Sequence, residues 1–435
     1  MNENQWNIFL EERALQFNLT NTQTSVFLTR FNRQNWLKRI EDIWQLAEVA
    51  SFESFVRHLT NIYKVFKTQE NGCRELLNRQ GAGSFPILRD WLLKEFQKSE
   101  YSTSFLDCDN LSVSSIEAEC YQAILQPGTL IRIKAPSKMG KTRLLNKILT
   151  HANQQEYETV NINLLQIETS KFSNLDLFLR WFCIYISDAL KLDLPINDLW
   201  NQDRGSMLSC TRYLENILQQ TSQSLVLGID ESDRLLNYPV VSQDFFYLLR
   251  SWHEEANNDE LWEKLRLVVV YSTEDFGSLD INQSPFNVGL PIELQPLDSQ
   301  QIEELASSYQ LKFNSDEITL LITMLGGHPY LIDSLFNYLV NNSQLSIKKL
   351  LQKATTDTGI YNSYLRQHLI TLKLNNQLAR GFLKILNSSI PIQIDTLLAY
   401  QLYRMGLIRW SEAGNAVMPS CELYRQYFLP RLSSN

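Results

Sequence analysis

At 435 residues, with 44% hydrophobic and 11% aromatic side chains, the chain is apolar enough for several packed domains and is not intrinsically disordered. Only 15 Gly and 12 Pro argue against a turn-rich, many-stranded β architecture and for helices with short connections. The net charge of −8 is concentrated in the middle: residues 1–105 sum to +1, 376–435 to +3 and the stretch between to −12, a poor match to a nucleic-acid groove.

The stretch Met1 to Thr20 is acidic and interrupted by polar residues, unlike a secretory signal. The longest membrane candidate, Phe178 to Ile186, is broken by Arg180 and falls far short of the roughly 20 residues needed to span. A cytoplasmic protein without membrane contact is expected. The six cysteines lack C-x-x-C pairs and histidines at metal spacing, which favours buried, reduced thiols over disulfides or zinc.

Residues 1–104 read as an N-terminal helical domain. Phe52, Phe55, Val56, Leu59, Ile62, Tyr63 and Phe66 recur at three and four, with turn signals at Glu70-Asn71-Gly72 and Gly81-Ala82-Gly83 and a linker at Ser99 to Asp109. The aromatic residues fit an ordinary core better than a docking surface, and no catalytic constellation is present. Residues 105–295 alternate short β-branched runs with amphipathic helices. The runs are Thr129–Lys134, Thr159–Asn163, Ser224–Ile229, Leu267–Ser272 and Gly289–Glu293, which predicts an α/β domain with a parallel sheet covered on both faces. Residues 296–375 read as a helical lid, with helices at Asp298–Tyr309, Asp316–Leu325 and Tyr330–Asn341, and Asn314 and Glu317 at capping-box spacing. Residues 376–435 read as helix (Gln377–Leu386), strand (Ile390–Gln393), helix (Thr396–Met405), hairpin (Leu407–Met418, turning at Gly414-Asn415) and helix (Glu422–Leu432), the order of a winged helix.

The strongest chemical signal is Ala135-Pro136-Ser137-Lys138-Met139-Gly140-Lys141-Thr142-Arg143, between the first strand and a helix. A strand–loop–helix turn converges backbone N–H groups and a helix N-terminus on phosphate oxygens. In this phosphate-binding loop Gly140 permits close approach, Lys141 reaches the β- and γ-phosphates of ATP, and the Thr142 hydroxyl is a ligand for Mg²⁺. Ala135 departs from the glycine usual at the start of such a loop and is tolerable where φ is negative. Downstream, an apolar strand ends in Asp230 and Glu231. Asp230 is the second Mg²⁺ ligand, through water, and Glu231 the candidate general base; the plain alternative is two acids starting a turn. Asp233 and Arg234 read as a structural ion pair. Ser272 or Thr273, at the end of the fourth strand, is placed to sense the γ-phosphate or the attacking water. No Arg or Lys occurs between Phe276 and Gly289, where a ring-forming motor usually carries an arginine finger, and Arg250 is the only nearby substitute. Gly326-Gly327-His328-Pro329 opens a lid helix, and His328 and Pro329 are candidates to pack on the adenine ring.

At these residues the chain resembles the bacterial AAA-like family of P-loop ATPases, close to the STAND signalling ATPases and the archaeal-type ATPase group. The matching segments are 135–142, 229–234, 249–254, 268–274, 284–291, 326–331 and 421–428, with Gly326-Gly327-His328-Pro329 and Leu423-Tyr424-Arg425-Gln426-Tyr427-Phe428 the most family-specific. The resemblance implies binding of ATP and ADP, closure of lid and winged helix over the nucleotide, and a slow switch rather than a processive motor. It also implies a protein effector or regulator, in regulation or a conflict system, and nucleotide-dependent self-association. A DNA-binding ATPase of initiator or transposition-helper type is the alternative. It is less favoured because the helix Thr396–Met405 carries Arg404 as its only cation among mostly apolar residues, although Arg409, Arg425 and Arg431 lie nearby. A nucleotide-binding scaffold without turnover is the third reading.

Overall fold

The computed structural model describes residues 3–17, 19–32, 35–36, 38–47, 49–68, 73, 84–98, 115–272, 285–342 and 346–433. The chain divides into two compact units, Met1–Asp107 and Cys108–Asn435. The turn signals at 70–72 and 81–83, the linker at 99–109 and Thr273 lie outside the described residues.

The first unit is helical: α1 (Glu3–Gln16), α2 (Asn21–Phe31), the short α3 (Ile40–Ile43), α4 (Phe52–Thr68) and α5 (Ser84–Lys98). The stripe on α4 buries Phe55, Leu59, Ile62 and Phe66. Phe66 stacks on Phe17 with ring centroids 4.1 Å apart, and the Trp6 indole donates to the Phe31 carbonyl at 2.8 Å. Its aromatic residues therefore build a core, where each large ring contributes about 1.5–3 kcal/mol by leaving water.

In the second unit α6 (Ser115–Ile124) precedes β1 (Leu130–Lys134), α7 (Lys141–Gln154), β2 (Glu158–Asn163), α8 (Leu175–Ala189), α9 (Ile196–Leu199), α10 (Ser206–Gln220), β3 (Leu225–Asp230), α11 (Pro239–Glu255), β4 (Leu265–Tyr271) and β5 (Leu290–Glu293). The five strands are parallel in the order β2-β3-β4-β1-β5. Helices cover both faces, so β3 and β4 are buried along their whole length, which explains why they are rich in Val, Leu and Ile, with Arg266 and Asp230 the buried charges among them. Cys183 on α8 and Cys210 on α10 meet in this core with their sulfurs 3.5 Å apart.

Five helices follow: α12 (Ser299–Ser308), α13 (Ser315–Leu325), α14 (Pro329–Asn341), α15 (Ile347–Lys353) and α16 (Asn362–Leu374). The capping box of Asn314 and Glu317 starts α13, with both reciprocal hydrogen bonds formed. The helices α15 and α16 add to the three read from the sequence. The chain ends with α17 (Asn376–Asn387), α18 (Thr396–Arg404), β6 (Ile408–Trp410), β7 (Val417–Pro419) and α19 (Glu422–Ser433), the element order of a winged helix. The strand expected at Ile390–Gln393 is only a bridge from Ile392 to Val417. Pro391, with no N–H to donate, limits pairing there.

All these helices share one core with the hairpin. Gly326, in the left-handed region (φ +65°), ends α13, and a Cβ there would lie 2.2 Å from the Ser420 carbonyl oxygen. Gly414 at the hairpin turn has a similar φ (+69°) with nothing within 4 Å. Gly326→Ala is therefore expected to lower stability by about 1–3 kcal/mol beyond the cost of Gly414→Ala, as read by chemical denaturation of the two variants.

Candidate functional site

Strand β1 lies between β4 and β5, and Leu130 to Ile133 are all buried, so the chain leaves the sheet where Lys134 reaches its edge. Two left-handed residues make the loop that follows, Lys138 (φ +60°) and Gly140 (φ +93°), and α7 starts from Gly140. Ala135 has no positive φ, so its methyl group is accommodated without backbone strain. The loop curls around the Lys141 ammonium, which donates to the carbonyls of Ala135 and Pro136, both at 2.9 Å.

At the first turn of α7 the Thr142 hydroxyl donates to Asp230 Oδ2 at 2.9 Å, while Asp230 Oδ1 accepts from the Glu231 amide at 3.0 Å. Phosphate loop and acidic strand end are thus joined by one hydrogen bond across the sheet. Hydroxyl and carboxylate side by side form a hard-oxygen pair suited to Mg²⁺ completed by water and phosphate, not an all-protein cage. Among the described residues no cluster of three or more His, Cys, Asp or Glu side chains forms such a cage.

Glu231 is itself left-handed (φ +58°), which turns the chain sharply after β3. Two bonds fix that turn to the end of β4: Ser232 Oγ donates to the Val270 carbonyl at 2.8 Å, and the Ser272 amide donates to Asp233 Oδ2 at 2.7 Å. Asp233 therefore braces Ser272 rather than pairing with Arg234. The Arg234 guanidinium instead donates to the Leu164 carbonyl and lies 4.7 Å from the Phe172 ring centre. The expected Asp233–Arg234 ion pair is corrected: the sharp turn sends neighbouring side chains to different partners.

The electrostatics of this corner are dominated by burial. Burial lowers the pKa of Lys141, opposed by Glu231, Asp233 and Asp230, and raises those of Asp230 and Glu231. In Asp230 the Thr142 hydroxyl offsets part of the rise; in Glu231 the neighbouring Asp230 adds to it.

Other expected site residues are placed differently. The Lys138 ammonium sits 3.7 Å from the ring centre of Tyr330 and 4.8 Å from that of Tyr364, and burial brings its pKa down to about 8. Its side chain is thus taken up by α14 and α16, leaving its backbone to the loop. His328 is enclosed, with both ring nitrogens lacking a hydrogen-bond partner, and burial, with Lys138 adding to it, drives its pKa down to about 3. The His328 ring is thus packed among helices and loop beside Lys138, and its contact with adenine stands as a proposal. Gly326 and Gly327 do not make room for a ligand. They admit the backbones of Ser420 and Leu297, and the Leu297 amide donates to the Gly327 carbonyl at 2.8 Å. Pro329 is the first residue of α14. Arg143, the second residue after Lys141, is half-buried on α7. Arg250 is held by Glu254 at 2.7 Å and by Asn287 at 2.6 Å, as a helix-end charge.

Sequence reasoning missed Arg404. Its carbonyl accepts from the Ser137 amide at 3.0 Å, and its charge acts on both Lys141 and Glu231. Beside it the Tyr403 hydroxyl donates to Glu293 Oε1 at 3.0 Å, which in turn pairs with Lys134 at 3.3 Å. A lone cation in an apolar helix was the only signal available.

A parallel sheet in this order, with a lysine-bearing loop after its first strand and paired acids at the end of its third, defines a P-loop ATPase fold. The chain belongs to the AAA-like domain family, whose profile matches residues 109–430. It is 23% identical over 222 residues to an uncharacterized WD repeat-containing protein of Synechocystis sp., and the match covers 48% of this chain and 18% of that relative's length. Among solved structures it is similar to the Aeropyrum pernix ORC2 protein in ADPNP–ADP complexes, at 15% identity and TM-score 0.45, covering 73% of this chain and 93% of that one. The ORC1 protein of the same organism, in complex with DNA, aligns at 13% identity and TM-score 0.40, covering 76% and 94%. No described helix is long and apolar enough to cross a membrane.

Because burial raises the Glu231 pKa in the folded state, its contribution to stability is fully present only below the unfolded pKa and is lost as pH rises through the folded value. Glu231→Gln removes that loss. The variant is expected to melt at a higher temperature than the wild type at pH 7 without ligand, and the difference should shrink as the pH is lowered toward the ordinary carboxylate range, as followed by calorimetry.

Proposed function

We propose that this chain binds ATP at residues 135–142, hydrolyses it slowly, and acts as a nucleotide-dependent switch on a partner protein. The observation that carries the reading is the Thr142–Asp230 hydrogen bond beside the buried Lys141 ammonium, which brings a metal-ligand pair and a phosphate-binding cation to one loop.

In this reading the backbone amides between Lys138 and Thr142 hold the phosphates. Lys141 exchanges the carbonyls of Ala135 and Pro136 for β- and γ-phosphate oxygens. Thr142 and Asp230 hold Mg²⁺, which when bound neutralises charge on the phosphates. Glu231 orients the attacking water and takes its proton; a carboxylate whose pKa is raised by burial is better matched to that task than an exposed one. Ser272, fixed by Asp233, stands at the adjacent strand end as the residue that responds to the γ-phosphate or the water.

The switch follows from what touches the loop. Helices α14, α16 and α18 all contact residues 136–138 through Tyr330, Tyr364 and Arg404, so a change in the loop on loss of the γ-phosphate is passed to them directly. The helical unit of residues 1–104 is the module proposed to carry that state to an effector or regulator in the cytoplasm, and ATP-dependent self-association is a second output of the same device. The DNA-binding alternative is weaker on the side chains it needs. The Arg425 guanidinium donates to the Leu386 carbonyl, and Arg431 pairs with Asp357 at 2.8 Å.

The test is the nucleotide that co-purifies with the protein and its turnover. The wild type is expected to retain ADP or ATP and to hydrolyse ATP at less than about 1 s⁻¹, a rate consistent with no finger supplied in trans. Lys141→Ala should bind roughly 10–100-fold more weakly and lose turnover, since a charge-assisted phosphate contact contributes about 1.5–3 kcal/mol. A wild type free of nucleotide and indistinguishable from Lys141→Ala would overturn the proposal.

A further inference from the structure

The loop at 135–142 carries two lysines, and their side chains go to different partners. Lys141 reaches the carbonyls of Ala135 and Pro136, while Lys138 reaches the helices that follow the sheet. The Lys138 ammonium lies 3.7 Å from the ring centre of Tyr330, in the first turn of α14, and 4.8 Å from that of Tyr364 on α16, with the two rings 5.2 Å apart. The rings are themselves held in place. The Tyr364 and Tyr424 hydroxyls meet at 2.9 Å, which ties α16 to α19, and the Tyr361 hydroxyl donates to the Leu331 carbonyl at 2.7 Å, which ties α16 to α14. The His368 ring stands edge-on to Tyr364, with centroids 4.6 Å apart. No carboxylate acts on the Lys138 ammonium. Burial alone lowers its pKa, and the ring faces are the negative charge it meets.

The backbone at Lys138 is a second, independent observation. Its φ of +60° is a conformation that a residue with a Cβ keeps only where its surroundings hold it there. Gly140 supplies the other left-handed turn of the loop without that cost. A glycine at 138 would turn the chain as freely, so the turn does not account for the lysine; contact with the rings is what its side chain adds. Holding the side chain holds the φ, and the φ of Lys138 sets which way the amides from Met139 to Thr142 face.

We propose that Lys138 is a positioning residue for phosphate binding: Tyr330 and Tyr364 hold its ammonium away from the nucleotide, and the held side chain locks the loop in the conformation whose amides receive the phosphates. The proposal rests on the reading of residues 135–142 as an ATP site. It divides the two loop lysines by task, with Lys141 touching phosphate and Lys138 acting only through the loop backbone. Ring faces on α14 and α16 thereby become part of the affinity for nucleotide. Because the loop amides serve the phosphates that ATP and ADP share, both ligands are affected alike.

The experiment measures ATP and ADP affinity by calorimetry on full chains of wild type, Lys138→Met, Lys138→Gly, Lys138→Arg, Tyr330→Leu and the double variant of Lys138→Met with Tyr330→Leu. Amide hydrogen exchange of residues 136–142 is followed without nucleotide in the same proteins. Lys138→Met and Tyr330→Leu should each weaken both nucleotides by roughly 3–30-fold, the span of a cation–π contact, and speed exchange in the loop. The double variant should be no weaker than either single one, because both remove the same contact. Lys138→Gly should be weak despite its free φ, and Lys138→Arg should stay within about threefold of wild type. Tyr330→Leu binding ATP at least as well as wild type, with Lys138→Met weak, would mean that Lys138 reaches phosphate itself, and overturns the proposal. A Lys138→Gly protein with wild-type affinity overturns it too, since backbone freedom alone would then account for the turn. In both cases the ATP site stands. A wild type that binds neither nucleotide overturns the proposal and the site together.

Discussion

The crowding of Lys141, Asp230, Glu231 and Asp233 at the carboxyl ends of β1 and β3 is the constraint around which the second unit is arranged. Lys141, Asp230 and Asp233 are almost wholly withdrawn from water and Glu231 partly so, and each must be compensated by neighbours. The compensation is local and specific: loop carbonyls for the ammonium, a threonine hydroxyl and an amide for Asp230, and the amide of Ser272 for Asp233. One oxygen of Asp233 has no partner at all. A corner held in this way is stable enough to exist but retains unsatisfied charge, as is common where a fold has been shaped around a ligand.

Much of this organisation was legible in the residues. The central strands read clearly because a parallel strand covered on both faces has no polar side, so Leu225 to Ile229 and Leu267 to Tyr271 appear as apolar runs of strand length. The phosphate loop and the paired acids were readable because their spacing is imposed by backbone geometry within a few residues. Asn314 and Glu317 announced a helix for the same reason.

What could not be read depends on contacts between distant segments. Gly326 and Gly327 look like glycines beside a ligand, whereas their missing side chains admit Ser420 and Leu297. The enclosure of His328 beside Lys138 has no local signal in the sequence. Helices α15 and α16 carry little signal of their own, since their apolar residues join a core drawn from α12 to α19. Arg404 resembled a weak contribution to a DNA-reading helix. Only the fold brings it to Ser137.

The hydrogen bond from Ser137 to Arg404 also bears on how the molecule is made. Domains generally fold as they emerge from the ribosome, amino-terminal parts first. Here the loop at 135–142 leaves the exit tunnel long before residue 404 has been translated. Until then the nascent loop lacks the partner of the Ser137 amide, so the sheet is assembled with this edge unfinished, and α18 completes it about 260 residues further along the chain.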